Sequence, residues 1–116
     1  MTSPPVREPA FLILTALAER PQHGYGLIED LRRLSDGHVR LRAGSLYAAL
    51  DRLRVAGLVE IDHEEVVSSR LRRYYRLTSD GETCLASEAQ LRREQAKTAE
   101  ARLRKGRAAR TEAVMP

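Results

Sequence analysis

The stretch from residue 44 to residue 81 constrains the fold of this chain more than any other part of the sequence. Residues 44–57 carry apolar side chains at helical spacing and lead directly into an extended segment at residues 58–62. The polar pair Ser68-Ser69 separates that segment from a second, arginine-rich extended segment at residues 70–78. The order helix, strand, polar turn and basic strand predicts a winged helix, in which a helix lies beside a β-hairpin.

Two further helices are predicted ahead of this module. Pro9 suits the first turn of a helix and Pro21 ends it, and the residues between them form one apolar stripe. A second helix, which stops at residues 35–37, has an apolar face formed by Leu27, Ile28, Leu31 and Leu34. Residues 39–42 alternate in polarity as a short strand would.

A last helix is predicted after the hairpin. Ser79 is placed to cap it, with Glu82 three residues on, and the helix extends to about Lys105. The predicted fold class is therefore mostly α with a small β-hairpin, a winged helix-turn-helix followed by a further helix. The segments are a flexible arm at residues 1–8, a winged-helix domain at residues 9–78, a helix at residues 79–105 and a flexible basic tail at residues 106–116.

The third helix is predicted to enter the major groove of DNA. Its buried line is Leu46, Leu50 and Leu53, and Gly57 is expected to end it in a left-handed conformation. The residues that face away are Ser45, Ala48, Arg52 and Val55. This face is small and sparsely charged, so Arg52 is the candidate for reading a guanine. The helical pattern alone fits an ordinary amphipathic core helix equally well.

The charge of the chain favours a polyanionic partner, although mildly. Twenty Lys and Arg residues against sixteen Asp and Glu residues give a formal net charge of +4. The basic residues of the second hairpin strand are Arg70, Arg72, Arg73 and Arg76, and the acidic residues across the ladder are Glu60, Asp62, Glu64 and Glu65. Cross-strand pairing is thus an alternative to phosphate contact. We assign Arg70 and Arg72 to phosphates and Arg76 to the acidic strand.

Four more residues are candidates for phosphate contact. Arg40 and Arg42 precede the third helix and rank below the wing arginines. Tyr47 combines an apolar body with a hydroxyl, so it can seal the edge of the helix and donate to a phosphate. Tyr25 offers the same choice at the start of the second helix, and there packing is favoured.

Four motifs, in order and at matching spacings, resemble the PadR family of bacterial transcription regulators over residues 11–103. They are His23-Gly24-Tyr25, Gly44-Ser45-Leu46-Tyr47, Leu50-x-x-Leu53-x-x-x-Gly57-Leu58-Val59 and Arg73-Tyr74-Tyr75-x-Leu77-Thr78-x-x-Gly81. The chain departs from the family pattern at Ala48, where proline is frequent, and at Gly26, where a better helix former is usual. At Ser68-Ser69 a glycine is common, which leaves the turn type open.

The resemblance implies a homodimer with an N-terminal winged helix and a C-terminal dimerising helix, usually a repressor, and the short C-terminal part is similar to the family's smaller subgroup. The most apolar line of the last helix, interrupted by Arg92, is Leu85, Ala89, Ala96, Ala99 and Leu103. Some smaller members stack flat aromatic compounds between tryptophans. This chain has no tryptophan, so that stacking is not carried over. Two alternatives stay open: a small-molecule effector of another, unidentified kind, or no effector.

Catalytic and metal-binding functions are disfavoured by the residue pattern. The histidines, His23, His38 and His63, are isolated, and the sequence contains neither a cysteine pair nor a glycine-rich phosphate loop. Cys84 fits a small packed residue better than a redox sensor. We expect no enzyme activity, no cofactor and no metal. The single cysteine and the lack of a long apolar run predict a cytoplasmic protein that is not in a membrane.

The prediction is a homodimeric, sequence-specific transcriptional regulator, most simply a repressor that binds a palindromic operator in double-stranded DNA. The competing hypothesis is a helical adaptor whose last helix binds another protein, the basic strand being incidental. Affinity for duplex DNA separates the two.

Overall fold

The computed structural model describes residues 8–114 and divides the chain into two compact units, Met1–Leu85 and Ala86–Pro116. The described elements are α1 (Glu8–Glu19), β1 (Gln22–His23), α2 (Gly24–Leu34), α3 (Ala43–Val55), β2 (Val59–Val67), β3 (Arg70–Leu77) and α4 (Ser79–Val114). The predicted fold class, mostly α with a winged hairpin, is confirmed. The arm predicted at residues 1–8 lies outside the described residues, except that Glu8 begins α1.

The core of the first unit is built from one face of each of the first three helices. Its largest fully buried side chains are Ile13, Leu14, Leu27, Leu31, Leu46 and Leu50. Burying one such side chain contributes roughly 1.5–3 kcal/mol. Val59 and Tyr75 extend this core into the hairpin. Because the leucine line of α3 is buried here, the opposite face of α3 is left toward solvent.

The sheet contains a strand that the sequence did not reveal. β1 has two residues and pairs with β3, so the strand order is β1-β3-β2 and β3 lies in the middle. The buried Gln22 side-chain amide donates to the Ala16 carbonyl and to Asp30 Oδ2, both at 3.0 Å. These bonds attach β1 to α1 and to α2. The pairing of β1 with β3 then joins these three elements to the hairpin.

The prediction of a short strand at residues 39–42 is wrong. These residues form no strand and instead link α2 to α3. Val39 and Leu41 pack against the core, whereas Arg40 and Arg42 are exposed. An extended linker with one side against a core therefore produces the same alternation as a strand.

The wing, defined as β2, β3 and the turn between them, is an antiparallel hairpin with a two-residue turn. Val67 pairs with Arg70, and both turn residues have positive φ, 50° at Ser68 and 65° at Ser69. A two-residue turn with positive φ at both positions corresponds to type I′, which matches the twist of the flanking strands. Serine thus adopts here a conformation that usually favours glycine or asparagine.

The register of the wing changes once. Ile61 pairs with Tyr75 and His63 pairs with Tyr74, so Asp62 is an extra residue in β2. Such a β-bulge bends its strand and strengthens the local twist. The bulge places Asp62 and His63 beside each other, with Asp62 Oδ2 and His63 Nδ1 separated by 2.5 Å.

The junction between the hairpin and α4 depends on Thr78. Its backbone N–H donates to the Leu58 carbonyl at 3.1 Å, and its hydroxyl donates to the Gly57 carbonyl at 2.6 Å. The Thr78 hydroxyl also accepts from the Gly81 N–H at 3.0 Å. Thr78, and not Ser79 as predicted, therefore caps α4, since Ser79 is already the first helical residue.

Gly57 ends α3 as predicted. Its φ is 78°, and the Leu58 N–H donates to the Leu53 carbonyl at 2.9 Å. This arrangement is a left-handed C-terminal cap, which satisfies carbonyls that the helix itself leaves unpaired. It turns the chain directly into β2.

The second unit consists of the part of α4 from Ala86 onward. The helix continues to Val114, so the predicted end near Lys105 and the flexible conformation predicted from residue 106 are wrong for the described residues. Alanine and arginine are strong helix formers, and a single glycine at position 106 costs only about 1 kcal/mol relative to alanine. Residues 115–116 lie outside the described part.

Candidate nucleic-acid interface

The face of α3 that points away from the core is exposed, as predicted. Its exposed residues are Ser45, Ala48, Arg52 and Val55. Arg54 lies 3.8 Å from Asp51 on the same helix, whereas Arg52 makes no ion pair with a carboxylate of residues 8–114. Arg52 is therefore available to an acceptor outside the protein.

The two arginines ahead of α3 differ in their freedom. Arg40 Nε donates to the Gly37 carbonyl at 3.0 Å, which ties its side chain to the preceding turn. Arg42 is the N-cap residue of α3, is exposed, and makes no capping bond through its side chain. Of these two candidates Arg42 is the better placed for an external phosphate.

The two candidate tyrosines are both exposed. Tyr25 lies in the first turn of α2 and is 75% exposed to solvent. The preference for packing at this position is therefore wrong. Tyr47 is 44% exposed, and its hydroxyl lies against Gly24 so closely that a Cβ there would come within 2.5 Å of it. A glycine at position 24 is what lets the Tyr47 hydroxyl reach the start of α2.

Two of the wing arginines are held by carboxylates. Arg76 Nη2 lies 2.7 Å from Glu60 Oε1, and its Nη1 lies 3.6 Å from Asp62. Arg73 Nε lies 3.5 Å from Glu64. The predicted pairing of Arg76 with the acidic strand is thus present, and Arg73 is paired as well.

Arg70 and Arg72 are not held in this way. Neither makes an ion pair with a carboxylate in the part of the chain that the structure describes. Glu65, which stands opposite Arg72 in the ladder, instead accepts a hydrogen bond from the Tyr74 hydroxyl at 2.7 Å. The wing therefore presents two guanidinium groups without internal counter-charges beside its turn.

A concave surface of about 760 Å³ connects the wing to the helices of the first unit. The residues that line it include Tyr25, Tyr47, Asp51, Ser68, Arg70 and Arg72. Three of the residues assigned to DNA by sequence reasoning, Tyr47, Arg70 and Arg72, are brought together here, with Tyr25. We call this surface the trough. It is an open cationic cleft with the tyrosine hydroxyls on one wall.

Three aromatic rings cross the sheet next to this surface and were missed by sequence reasoning. His63 stacks on Tyr74 with ring centroids 4.3 Å apart, and His23 meets the same tyrosine edge-on at 5.2 Å. Burial lowers the pKa of His23 below 6.5, the Arg72 charge lowers it further, and Glu65 opposes the shift. This shift favours the neutral form of the His23 imidazole. Cross-strand stacking was not visible in the sequence because it depends on β1 and on the bulge.

The residues of the predicted dimerisation line have different surroundings. In the first unit, Leu85 is half-buried and packs against the core of that unit. In the second unit Ala89 is half-buried, and Ala96, Ala99 and Leu103 are exposed. Leu91, which was not part of the predicted line, is 49% exposed to solvent. The apolar side chains of the second unit are thus largely uncovered.

Within residues 8–114 no group of three or more His, Cys, Asp or Glu side chains is arranged to hold a metal ion. None of the helices in the same residues combines the length and apolar character that crossing a bilayer requires. Cys84 is half-buried and packs against the core.

Comparison with known proteins gives a consistent family. Residues 13–87 match the transcriptional regulator PadR-like family. A PadR-like transcriptional regulator from Bacillus cereus is 25% identical over 81% of this chain and 89% of that one, with a TM-score of 0.68. A PadR family regulator from Eggerthella lenta is 30% identical over 79% of each chain, with a TM-score of 0.62. Bacillus subtilis PadR in complex with operator DNA is 18% identical over 70% of this chain and 47% of that one, with a TM-score of 0.62, which shows a shared fold.

The matched residues run from α1 to the start of α4, so they contain α3, the wing and the Thr78 junction. They also contain the four sequence motifs on which the resemblance rests. The chain belongs to the PadR-like family of transcriptional regulators.

Proposed function

We propose that this protein is a homodimeric transcriptional repressor that binds a palindromic operator through α3 and the wing. The observation that carries the proposal is a set of guanidinium groups that have no carboxylate partner within residues 8–114. Arg70 and Arg72 line the trough on its wing side, and Arg52 lies on the outward face of α3, outside the trough lining. Clefts and surfaces that carry one sign of charge attract ligands of the opposite charge.

The wing and the tyrosines act as the positioning contacts. Arg70 and Arg72 hold phosphates on one strand, and the hydroxyls of Tyr25 and Tyr47 donate to neighbouring phosphates across the trough. Arg42 supplies a further phosphate contact at the start of α3. These contacts set the depth and the angle at which α3 enters the groove, but they carry no sequence information.

Sequence is read by α3. Ser45 and Ala48 are small, so the helix can lie deep in the major groove, and Arg52 then reaches the acceptor edge of a guanine. The ion pair between Arg54 and Asp51 keeps that second arginine on the flank of the helix. One winged helix reads only a few base pairs, so a pair of them is needed for useful specificity.

The second unit provides the means of pairing. Its side chains Leu91, Ala96, Ala99 and Leu103 are exposed and apolar enough to be covered by a second copy. A two-fold dimer would set two α3 helices at half-sites about 34–36 Å apart, which requires a palindromic operator. Bacillus subtilis PadR, which has this fold, was crystallised with operator DNA, and that supports DNA as the partner here.

The wing contacts predict a specific salt dependence. Arg70→Ala and Arg72→Ala should each lower the slope of log K against log salt by about 1, because each lost phosphate contact leaves one counterion in place. The loss should be similar on operator and random duplexes. Fluorescence anisotropy over a salt series measures both quantities.

Arg76→Ala is the matched control for the wing, since its guanidinium is already paired with Glu60. It removes the same charge from the same strand and should leave the slope nearly unchanged. Equal slopes for all three variants and the unsubstituted protein would place Arg70 and Arg72 away from the phosphates.

Arg52→Ala tests sequence reading. It should weaken binding to the preferred operator by roughly 1–3 kcal/mol and change binding to random DNA much less. The operator can be recovered by sequencing the genomic DNA that co-purifies with the protein. Arg54→Ala, on the same helix and ion-paired, is the control.

Equal losses on operator and random DNA would make Arg52 a backbone contact. A protein with no measurable affinity for any duplex at physiological salt would instead support the adaptor hypothesis, in which the exposed part of α4 binds another protein.

A further inference from the structure

The charge of the second unit is divided sharply along the helix. From residue 86 to residue 100, three acidic residues balance three basic ones. From residue 101 to residue 111 there are five basic residues and no acidic one: Arg102, Arg104, Lys105, Arg107 and Arg110. We call residues 102–110 the basic segment.

The ion pairs follow the same division. Arg92 lies 2.8 Å from Glu88, and Lys97 lies 3.8 Å from Glu94. Within residues 8–114 none of the five cations of the basic segment has a carboxylate within ion-pair distance, although Glu100 stands four residues before Arg104 on the same helix. The basic segment is thus the uncompensated part of the helix.

Because the segment is helical, its charges are held at fixed positions relative to one another, which a flexible tail would not do. Residues three apart on a helix are neighbours, so Arg104 and Arg107, and likewise Arg107 and Arg110, place like charges together, which disfavours the helix. A bound polyanion would remove that repulsion. The helix also fixes the spacing: nine residues at a rise of about 1.5 Å each span roughly 12 Å.

The partner that fits this segment is a rigid polyanion. Duplex DNA carries one phosphate charge per about 1.7 Å of its axis, so a segment of this length lies beside several phosphates. Successive residues are about 100° apart on a helix, so the five cations surround it and some point outward whichever side a second copy covers. A lipid surface fits less well, because a helix that lies in a membrane interface needs a continuous apolar face and this segment has Leu103 and alanines.

We propose that the basic segment is a second DNA-contact surface, which binds the phosphate backbone outside the base pairs that α3 reads. The inference rests on the proposed function, since it extends the DNA contact from the winged helix to the second unit. The contact is independent of sequence, and it adds affinity and salt dependence to every DNA complex that the protein forms.

The test compares two variants with the same loss of charge. In the first, Arg104, Lys105, Arg107 and Arg110 are replaced together by glutamine, which preserves helix propensity. In the second, Arg20, Arg32, Arg33 and Lys97 are replaced by glutamine; each is exposed and already paired with a neighbouring carboxylate. Circular dichroism and sedimentation confirm that both keep the helix content and association state of the unsubstituted protein.

The probe is a random-sequence duplex several helical turns long, titrated between about 50 and 200 mM salt. The first variant should bind about tenfold more weakly and show a slope of log K against log salt lower by about 2–3, because two to three phosphate contacts are lost. The second variant should bind like the unsubstituted protein.

Two results overturn the inference while leaving the proposed function intact. One is an unchanged slope in the first variant; the other is an equal loss in both variants, which would assign the effect to net charge alone. Vesicles containing phosphatidylglycerol form a further arm: binding there that exceeds duplex binding and depends on the basic segment would make the segment a lipid contact. Failure of the unsubstituted protein to bind any duplex would refute the proposed function itself.

Discussion

Removal of residues 86–116 is expected to give a monomer whose operator affinity falls roughly a hundredfold or more. The first unit retains its own core, including Cys84 and Leu85, and should stay folded. In a dimer, binding of one winged helix to its half-site makes binding of the other intramolecular, and such linkage raises affinity about 10²–10⁴-fold. The truncated chain loses this gain. Analytical ultracentrifugation and operator binding measure the two effects. The cut follows Leu85 because Leu85 packs against the core of the first unit.

A point variant separates dimerisation from the loss of the basic segment. Ala99→Glu places a charge on the predicted apolar line while the rest of the helix stays intact, and it should also give a monomer. Ala101→Glu adds the same charge about 160° round the helix from Ala99, away from Ala96 and Leu103, and should remain a dimer. If the truncated chain still sediments as a dimer and binds operator with full affinity, α4 is not the dimerising element.

The largest loss of stability from a single small substitution is expected for Gly81→Ala. Gly81 is buried in the first turn of α4, and a Cβ there would collide with the Leu58 carbonyl oxygen and approach Leu77. The Leu58 carbonyl cannot move freely because it accepts the Thr78 N–H. We expect a cost at or above the upper end of the roughly 1–3 kcal/mol that overpacking usually causes.

Gly44→Ala is the natural comparison. No atom lies within 4 Å of the Cβ that alanine would add at Gly44, and that glycine is in the first turn of α3. This substitution should be neutral or stabilise by up to about 1 kcal/mol, since alanine is the better helix former. Denaturant unfolding of both variants gives the difference; equal midpoints would mean that the hairpin–α4 junction relaxes without cost.

Much of the fold was predictable because its signals are local. The leucine spacing in α3 and the left-handed Gly57 follow from residues that are neighbours in sequence. The outward exposure of Arg52 follows from the same helical period. The pairing of Arg76 was predictable because acidic and basic strands face each other in one hairpin.

Three of the failures share one physical cause, which is dependence on distant parts of the chain. β1 has two residues, so it has no period, and it exists because β3 offers a free edge. The alternation at residues 39–42 reflects contact with the core and not strand pairing. Tyr25 is exposed because no element within residues 8–114 covers its ring, and no local pattern reports such an absence. The extent of α4 was underestimated for a local reason: residues 106–116 have no apolar face, but their alanines and arginines are strong helix formers.

The bulge at Asp62 determines which charges meet across the wing. Strand side chains alternate, so one extra residue shifts the partner of every position between it and the turn. In the observed register Glu64 stands opposite Arg73 and Glu65 opposite Arg72. If Asp62 were paired with Tyr74 and the ladder continued without the bulge, Glu64 would stand opposite Arg72 and Arg73 would face His63. A shift of the wing between these two registers would therefore change which carboxylates face its arginines, although the sequence stayed the same.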